Sequence, residues 1–272
     1  MKRIRLLATD FDGTLYDPLA RLPAGNESFA QLRVLIHQFR FQHRLKWAVI
    51  TGRHVESIPA VAGELLLHGL VPDFLVMEDA HIFVRHRHRY RPFWWWNLCL
   101  RFRRRRQLRS YRPRVRQLKA ETERRHPGIE DLTAGRLIDY WYAFNHEADA
   151  SAVEEELRHE FDGNPDFFVF RWGLEVCLVP TAGTKGEAVK RLAATLKATP
   201  AEIATVGDGP NDISMLNGSC AAHVACVGNA DAAVRDTVRR AGGLVSQEPT
   251  VFGVLEFLQQ LYAAAPPPAR RE

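Results

Sequence analysis

The sequence has no run approaching the 18 apolar residues that a membrane-spanning helix needs, so no such span is expected. It has only four cysteines, Cys99, Cys177, Cys220 and Cys226, with no Cys-x-x-Cys spacing and none close to a histidine pair. That scatter argues against a thiolate metal site and predicts free, buried thiols in a reducing, cytoplasmic setting. No internal repeat is evident. The opening Met1-Lys2-Arg3 begins as a signal peptide does, but Asp10 ends the following apolar run too early, and no secretion signal is expected. Little of the chain is poor in residues to bury, apart from the tail 263–272 with Pro266-Pro267-Pro268, which is expected to be disordered.

What is present is ordinary for a globular protein: 46% apolar and 25% charged residues over 272 positions, enough for one large domain or two modest ones. The formal charge of +5 suits an anionic ligand, although most of the excess lies in one arginine-rich segment.

Chemistry is suggested first at Asp10-Phe11-Asp12-Gly13-Thr14, which follows the apolar run from Ile4 to Ala8. Two carboxylates two residues apart at the end of a buried strand sit where α/β proteins place their ligands. An Asp can attack phosphorus as a nucleophile, and a second Asp can donate and accept the leaving-group proton when a cation offsets their repulsion. The competing reading is a plain Asp-Gly turn. Three further pieces follow in order. Trp47 to Ile50 runs into Thr51-Gly52-Arg53, a hydroxyl, a close-approach glycine and a cation before a helix start, which suits a phosphate. Lys185, within Gly183-Thr184-Lys185-Gly186, opens a helical pattern, where a positive charge opposes the helix dipole and needs a reason. Ile203 to Val206 leads into Gly207-Asp208-Gly209-Pro210-Asn211-Asp212, a turn of hard oxygen donors of the kind Mg2+ selects.

With these four motifs in this order, the chain resembles the haloacid dehalogenase (HAD) superfamily of phosphohydrolases over residues 1–80 and 183–262. The interruption between the second and third motifs is similar to the large α/β cap of the Cof-type and sucrose-phosphate phosphatase subgroup. The resemblance implies a Mg2+-dependent phosphomonoesterase with an aspartyl-phosphate intermediate, acting on a sugar phosphate or similar small phosphorylated metabolite, in which Asp10 attacks and Asp12 serves as acid and base. An Asp at the second position points to phosphatases and phosphomutases rather than dehalogenases. It further implies Thr51, Gly52 and Lys185 on the phosphoryl oxygens, Asn211 orienting the phosphate or Asp10, and a metal site of Asp10, Asp12 (through its backbone carbonyl), Asp208 and, from behind, Asp212. Arg53 could meet the phosphate or form an ion pair that fixes its loop. Where Cof-type relatives commonly carry an Asn-Gly-Ala-like turn, this chain reads Glu78-Asp79-Ala80-His81.

The alternation of strands and helices predicts an α/β fold, a Rossmann-like parallel sheet: strands 4–9, 47–50, 74–77, 203–206, 222–227 and 244–245, with helices at 26–42, 55–67, 187–197, 212–216, 230–240 and 251–262. The expected domains are a core of 1–81 and 183–262 and an α+β cap of 82–182, in which strands 167–171 and 175–178 form a hairpin. Asn145, Arg171, Trp172 and Glu175 are the candidate cap contacts to substrate, with ordinary packing as the other reading of each. Phe93-Trp94-Trp95-Trp96 and the arginines at 101 and 103–106 read either as an amphipathic helix, which Pro113 is expected to interrupt, or as an interfacial or nucleic-acid surface. Two other functions therefore stay open: a sugar phosphomutase with the same motifs, and a non-enzymatic adaptor built on residues 93–116. No nucleic-acid partner is expected from the catalytic set.

Overall fold

The computed structural model describes residues 3–17, 27–133 and 140–263, so residues 264–272 of the expected disordered tail lie outside the described residues. The chain divides into two compact units, one of residues 1–93 and 185–272 and the other of residues 94–184.

The first unit is built on an eight-stranded sheet. Strands β1 (Leu6–Asp10), β2 (Lys46–Ile50) and β3 (Phe74–Met77) run parallel on one side, and β10 (Ile203–Gly207), β11 (His223–Cys226) and β12 (Leu244–Val245) run parallel on the other. With β4 (His81–His86) and β5 (Arg89–Pro92) added, the order is β12-β11-β10-β1-β2-β3-β4-β5. Because β1 is central and the chain leaves it in one direction and returns through β10 in the other, a crevice forms at the carboxyl ends of β1 and β10. All five residues of β1 are buried, as both faces of a covered parallel strand require. On one face, α1 (Glu27–His43) and α8 (Thr250–Ala263) contribute Phe29, Leu32, Ile36, Phe39, Val254 and Leu258 to a core with Leu7, Trp47, Val49 and Leu75. Helices α2 (Ile58–Leu67), α5 (Lys185–Leu196), α6 (Ile213–Leu216) and α7 (Ala232–Arg240) complete the connections.

The sheet extends further than the sequence pattern indicated. Strands β4 (His81–His86) and β5 (Arg89–Pro92) pair antiparallel onto β3, so residues 82–92, grouped with the inserted segment on sequence, belong to the core sheet. Their His and Arg content conceals the strand pattern, yet on β5, the edge strand, such charge discourages further pairing.

The second unit holds α3 (Trp94–Arg125), α4 (Glu147–Glu160) and a four-stranded antiparallel sheet ordered β6 (Glu130–Asp131), β7 (Tyr140–Ala143), β9 (Glu175–Pro180), β8 (Phe167–Trp172). Its own core joins Leu108, Val115 and Leu118 of α3 to Tyr140, Tyr142, Val153, Leu157, Phe167 and Leu178. The β8–β9 hairpin turns through Gly173-Leu174, with Gly173 at φ 56°, a left-handed conformation that glycine adopts without strain.

Pro113 does not interrupt the helix as expected: α3 continues through it for 32 residues. Leu108 on one side and Val115 and Leu118 on the other anchor both halves in the same core, and this packing outweighs the missing backbone hydrogen bond. Pro113→Ala, at an exposed position, should therefore stabilise the second unit by about 1–3 kcal/mol, read as a raised urea midpoint with an unchanged denaturant slope. A lowered midpoint would show that the proline is needed where it stands.

Candidate active site

The carboxyl ends of β1 and β10 bring three acids together. Asp10 closes β1, Asp208 follows β10, and Asp212 lies one turn further; a carboxylate oxygen from each falls within 4.8 Å of the others, and all three are buried. Lys185, the first residue of α5, reaches into this group. Its Nζ donates to Asp10 Oδ1 at 2.5 Å and to Asp212 Oδ1 at 2.6 Å, and lies 4.0 Å from Asp79 Oδ1, while the residue is only 1% exposed. That arrangement supplies the reason for a lysine at an unfavourable helix start: its partners are carboxylates rather than the helix dipole. Burial alone would pull the Lys185 ammonium down, but Asp10, Asp212 and Asp79 outweigh it and push its pKa up.

One ammonium does not neutralise three buried carboxylates. Burial raises Asp10 well above its ordinary value, with Lys185 opposing and Asp212 and Asp208 adding to the rise. Burial likewise lifts Asp208 to about 6, reinforced by Asp212 and opposed by a hydrogen bond from Thr14. A set of hard oxygen donors carrying surplus negative charge fits a small divalent cation such as Mg2+.

The surrounding turns are shaped to these acids. Thr14 Oγ1 donates to Asp208 Oδ1 at 2.6 Å. Gly13 has φ 76°, and a side chain there would collide with the Asp208 carboxylate, so both the turn and the close approach need glycine. Asp212 is not free for direct ligation through both oxygens: Oδ2 accepts the backbone N–H groups of Asp208 at 2.9 Å and Gly209 at 3.0 Å, and Oδ1 faces Lys185. It therefore ties the turn and the lysine together.

Asp12 stands apart from this cluster, so its carboxylate does not join the other metal candidates. Arg53 grips it through Nη2 at 2.5 Å and Nε at 2.9 and 3.1 Å, and Thr51 Oγ1 donates to Oδ2 at 3.1 Å. Of the two readings of Arg53, the structure shows the ion pair. The guanidinium also lies over the Phe11 ring at 5.0 Å and near Tyr16 at 5.8 Å, two rings that stack on each other. Asn211 donates to Asp79 Oδ1 at 3.2 Å, and a side chain at Gly52 would lie in ordinary contact with the same oxygen.

Asp79 is thus a site residue that sequence reasoning missed. It lies where Lys185, Asn211 and Gly52 meet, and both it and Glu78 have positive φ, 63° and 47°. Non-glycine residues in that region mark a constrained turn, and the departure at Glu78-Asp79 from the related Asn-Gly pattern was the available signal. Asn229 was also missed: its Nδ2 donates to Gly13 O at 2.8 Å and its Oδ1 accepts Thr250 N at 2.8 Å.

The cap candidates lie in the second unit. Arg171 bonds Glu154 at 2.8 Å and Gly173 O at 2.7 Å, Glu175 accepts Trp141 Nε1 at 2.8 Å, and Asn145 donates to Gly128 O at 3.3 Å. These three have packing partners within their own unit, whereas Trp172 is half exposed.

Solved structures that share this fold include proteins described as HAD hydrolases or phosphatases. A sucrose-phosphatase from Synechocystis sp. PCC6803, solved in complex with sucrose and phosphate, is 20% identical, with a TM-score of 0.65 over 96% of this chain and 99% of that one. BT1666 of Bacteroides thetaiotaomicron, described among phosphatases of the HAD superfamily, is 18% identical, with a TM-score of 0.57 over 95% of each chain. The haloacid dehalogenase-like hydrolase yhjK of Bacillus subtilis is 17% identical, with a TM-score of 0.56 over 94% of this chain and 90% of that one. No curated protein matches the sequence. The fold is therefore one shared by a class of HAD hydrolases and phosphatases. Within it, the chain belongs to the Sucrose-6F-phosphate phosphohydrolase family, whose model matches residues 3–261. It is a phosphatase.

The raised acids fix a pH dependence. A carboxyl whose folded pKa exceeds its unfolded value contributes stability that is fully present below the unfolded value and is lost as pH rises through the folded one. For Asp208 that window runs from 3.8 to about 6. In chelator, urea stability should therefore fall across this window by on the order of 2 kcal/mol from this group, and added Mg2+ at neutral pH should restore it. A flat profile that ignores Mg2+ would contradict the crowding of these acids.

Proposed function

We propose that the protein is a Mg2+-dependent phosphomonoesterase that works through an aspartyl-phosphate on Asp10 and acts on a phosphorylated sugar. The observation that carries this reading is the separation of two neighbouring aspartates into different environments. Asp10 is buried against Lys185, whereas Asp12 is 28% exposed at its side chain and held by Arg53 and Thr51. In this reading Asp10 attacks and Asp12 exchanges protons with a departing alcohol or an arriving water.

In the first step an Asp10 oxygen forms a bond to phosphorus as the bond to the ester oxygen breaks, and Asp12, carrying a proton, gives it to the leaving alkoxide. In the second, Asp12 as carboxylate takes a proton from water, whose oxygen bonds to phosphorus and releases Asp10 and inorganic phosphate. Lys185 fixes the nucleophile's orientation and opposes charge build-up on the transferring group. Thr51, the Gly52 backbone and Asn211 would receive the non-bridging oxygens, Thr51 and Asn211 exchanging their bonds to Asp12 and Asp79 for them. Arg53 would exchange its hold on Asp12 for the incoming dianion, which frees Asp12 for proton transfer.

Asp10, Asp208 and the Asp12 backbone carbonyl would hold Mg2+, with Asp212 bracing the turn behind them. When bound, the cation supplies charge neutralisation that lets a phosphate dianion approach the carboxylates. Family membership supports a sugar phosphate, and sucrose 6F-phosphate is the first substrate to test. Of the four candidates in the second unit, Trp172 keeps a half-exposed ring of the kind that can stack on a sugar, while Arg171, Glu175 and Asn145 are engaged within their own unit.

Phosphate release from sucrose 6F-phosphate should exceed that from hexose monophosphates, glycerol phosphates and nucleotides by about tenfold or more in kcat/KM, a difference of about 1.4 kcal/mol in transition-state binding. Uniform release across the panel would reject a sugar-phosphate specificity, and formation of an isomeric sugar phosphate in place of inorganic phosphate would reject a hydrolase.

Asp10→Asn should reduce turnover by several orders of magnitude while preserving the fold, and acid quenching of the wild-type enzyme during turnover should trap phosphate on Asp10. EDTA should abolish activity and Mg2+ should return it. Normal turnover by folded Asp10→Asn would falsify the covalent mechanism.

A further inference from the structure

The exposed face of α3 takes no part in the chemistry above. Along this helix Trp96, Leu100, Arg104, Leu108, Val115 and Leu118 are buried. At 100° per residue the opposite side gathers Trp94, Trp95, Leu98 and Phe102, which are 76%, 76%, 45% and 62% exposed. An amphipathic helix accounts for the buried stripe but not for a second apolar cluster in solvent, where large aromatic groups side by side mark a surface that meets a partner.

The charge around that cluster is of one sign. Residues 94–120 contain nine arginines and one lysine and no Asp or Glu. Arg101, Arg105, Arg106, Arg109, Arg112 and Arg116 are exposed, and none of them forms an ion pair among the described residues. Basic residues elsewhere on the same helix do find acids: Arg114 pairs with Glu160, Lys119 with Asp131 and Arg125 with Glu156.

We propose that this face docks on an anionic phospholipid surface, with Trp94, Trp95, Leu98 and Phe102 entering the headgroup region and the arginines meeting lipid phosphates. Aromatic side chains settle at the water–lipid boundary, and arginine stems lie along apolar surface while their heads reach phosphate. The contact is peripheral, since no described helix is long and apolar enough to cross a membrane. A second copy of the chain is disfavoured as the occupant because two such faces would oppose like charges. A nucleic acid is disfavoured because the exposed apolar cluster includes Leu98, which has no π face on which a base could stack.

The full-length protein should be sedimented with vesicles of phosphatidylcholine alone and of phosphatidylcholine containing phosphatidylglycerol. Preferential partition into the anionic vesicles by about tenfold or more, weakened at high salt, is expected. Trp94→Ser/Trp95→Ser and Arg101→Glu/Arg105→Glu should each reduce that partition about tenfold or more, with thermal midpoint and phosphatase activity unchanged. The charge-reversal pair keeps the test decisive if the tryptophan pair fails to fold. Equal sedimentation with both vesicle types, full binding by both variants, or tighter binding of a single-stranded oligonucleotide than of anionic vesicles at the same ionic strength would overturn the proposal.

Discussion

Lys185 is a charged group with almost no access to water, and the arrangement of the catalytic unit follows from keeping it satisfied. Its ammonium joins the end of β1, through Asp10, to the turn after β10, through Asp212, and it does so from the first residue of α5. Three segments distant in the chain are thereby held at one rim of the sheet. A buried pair of this kind is expensive to form and more expensive to break, since removing one partner leaves the other charged and dry. With Asp208 and Asp79 also nearby, the group keeps a surplus of negative charge of the kind a divalent cation offsets.

The second organising contact is the Arg53 grip on Asp12. Asp10 and Asp12 are two residues apart, and without separate partners their charges would compete for one cation. The Phe11–Tyr16 stack beneath the guanidinium fixes where Arg53 can lie, and Thr51 completes the clasp. The loop after β1 therefore assigns different surroundings to adjacent acids by directing one inward and the other toward a half-exposed cation. Turn chemistry contributes as much as side-chain chemistry here: Gly13 leaves room for the Asp208 carboxylate, and Glu78 and Asp79 adopt left-handed conformations that bring a further acid to the same place.

The inserted unit has a different balance. Its core is self-contained, and its long helix spends one face on that core while leaving aromatic and arginine side chains on the other. Nothing in the phosphoryl chemistry calls for that second face, which is why it is better explained by an anionic surface outside the molecule.

The sequence by itself determined the parallel strands, their helices and the four motif segments, because an apolar run buried on both faces and a glycine-rich acidic turn are local patterns with local physical causes. Strands 74–77 and 244–245 coincide with the observed β3 and β12, and the hydrophobic spacing along 27–43 is that of a helix covering the sheet. Local pattern did not reach the charged strands β4 and β5, whose pairing depends on a neighbour already in place, nor the passage of α3 through Pro113, which depends on core contacts at both sides of it. Only tertiary structure decided that Arg53 faces Asp12, that Asp212 braces a turn while meeting Lys185, and that Asp79 enters the site. Each of these is a choice among partners brought together from distant parts of the chain, and the energy that decides it, the pairing of charges away from water, exists only after the fold has excluded that water.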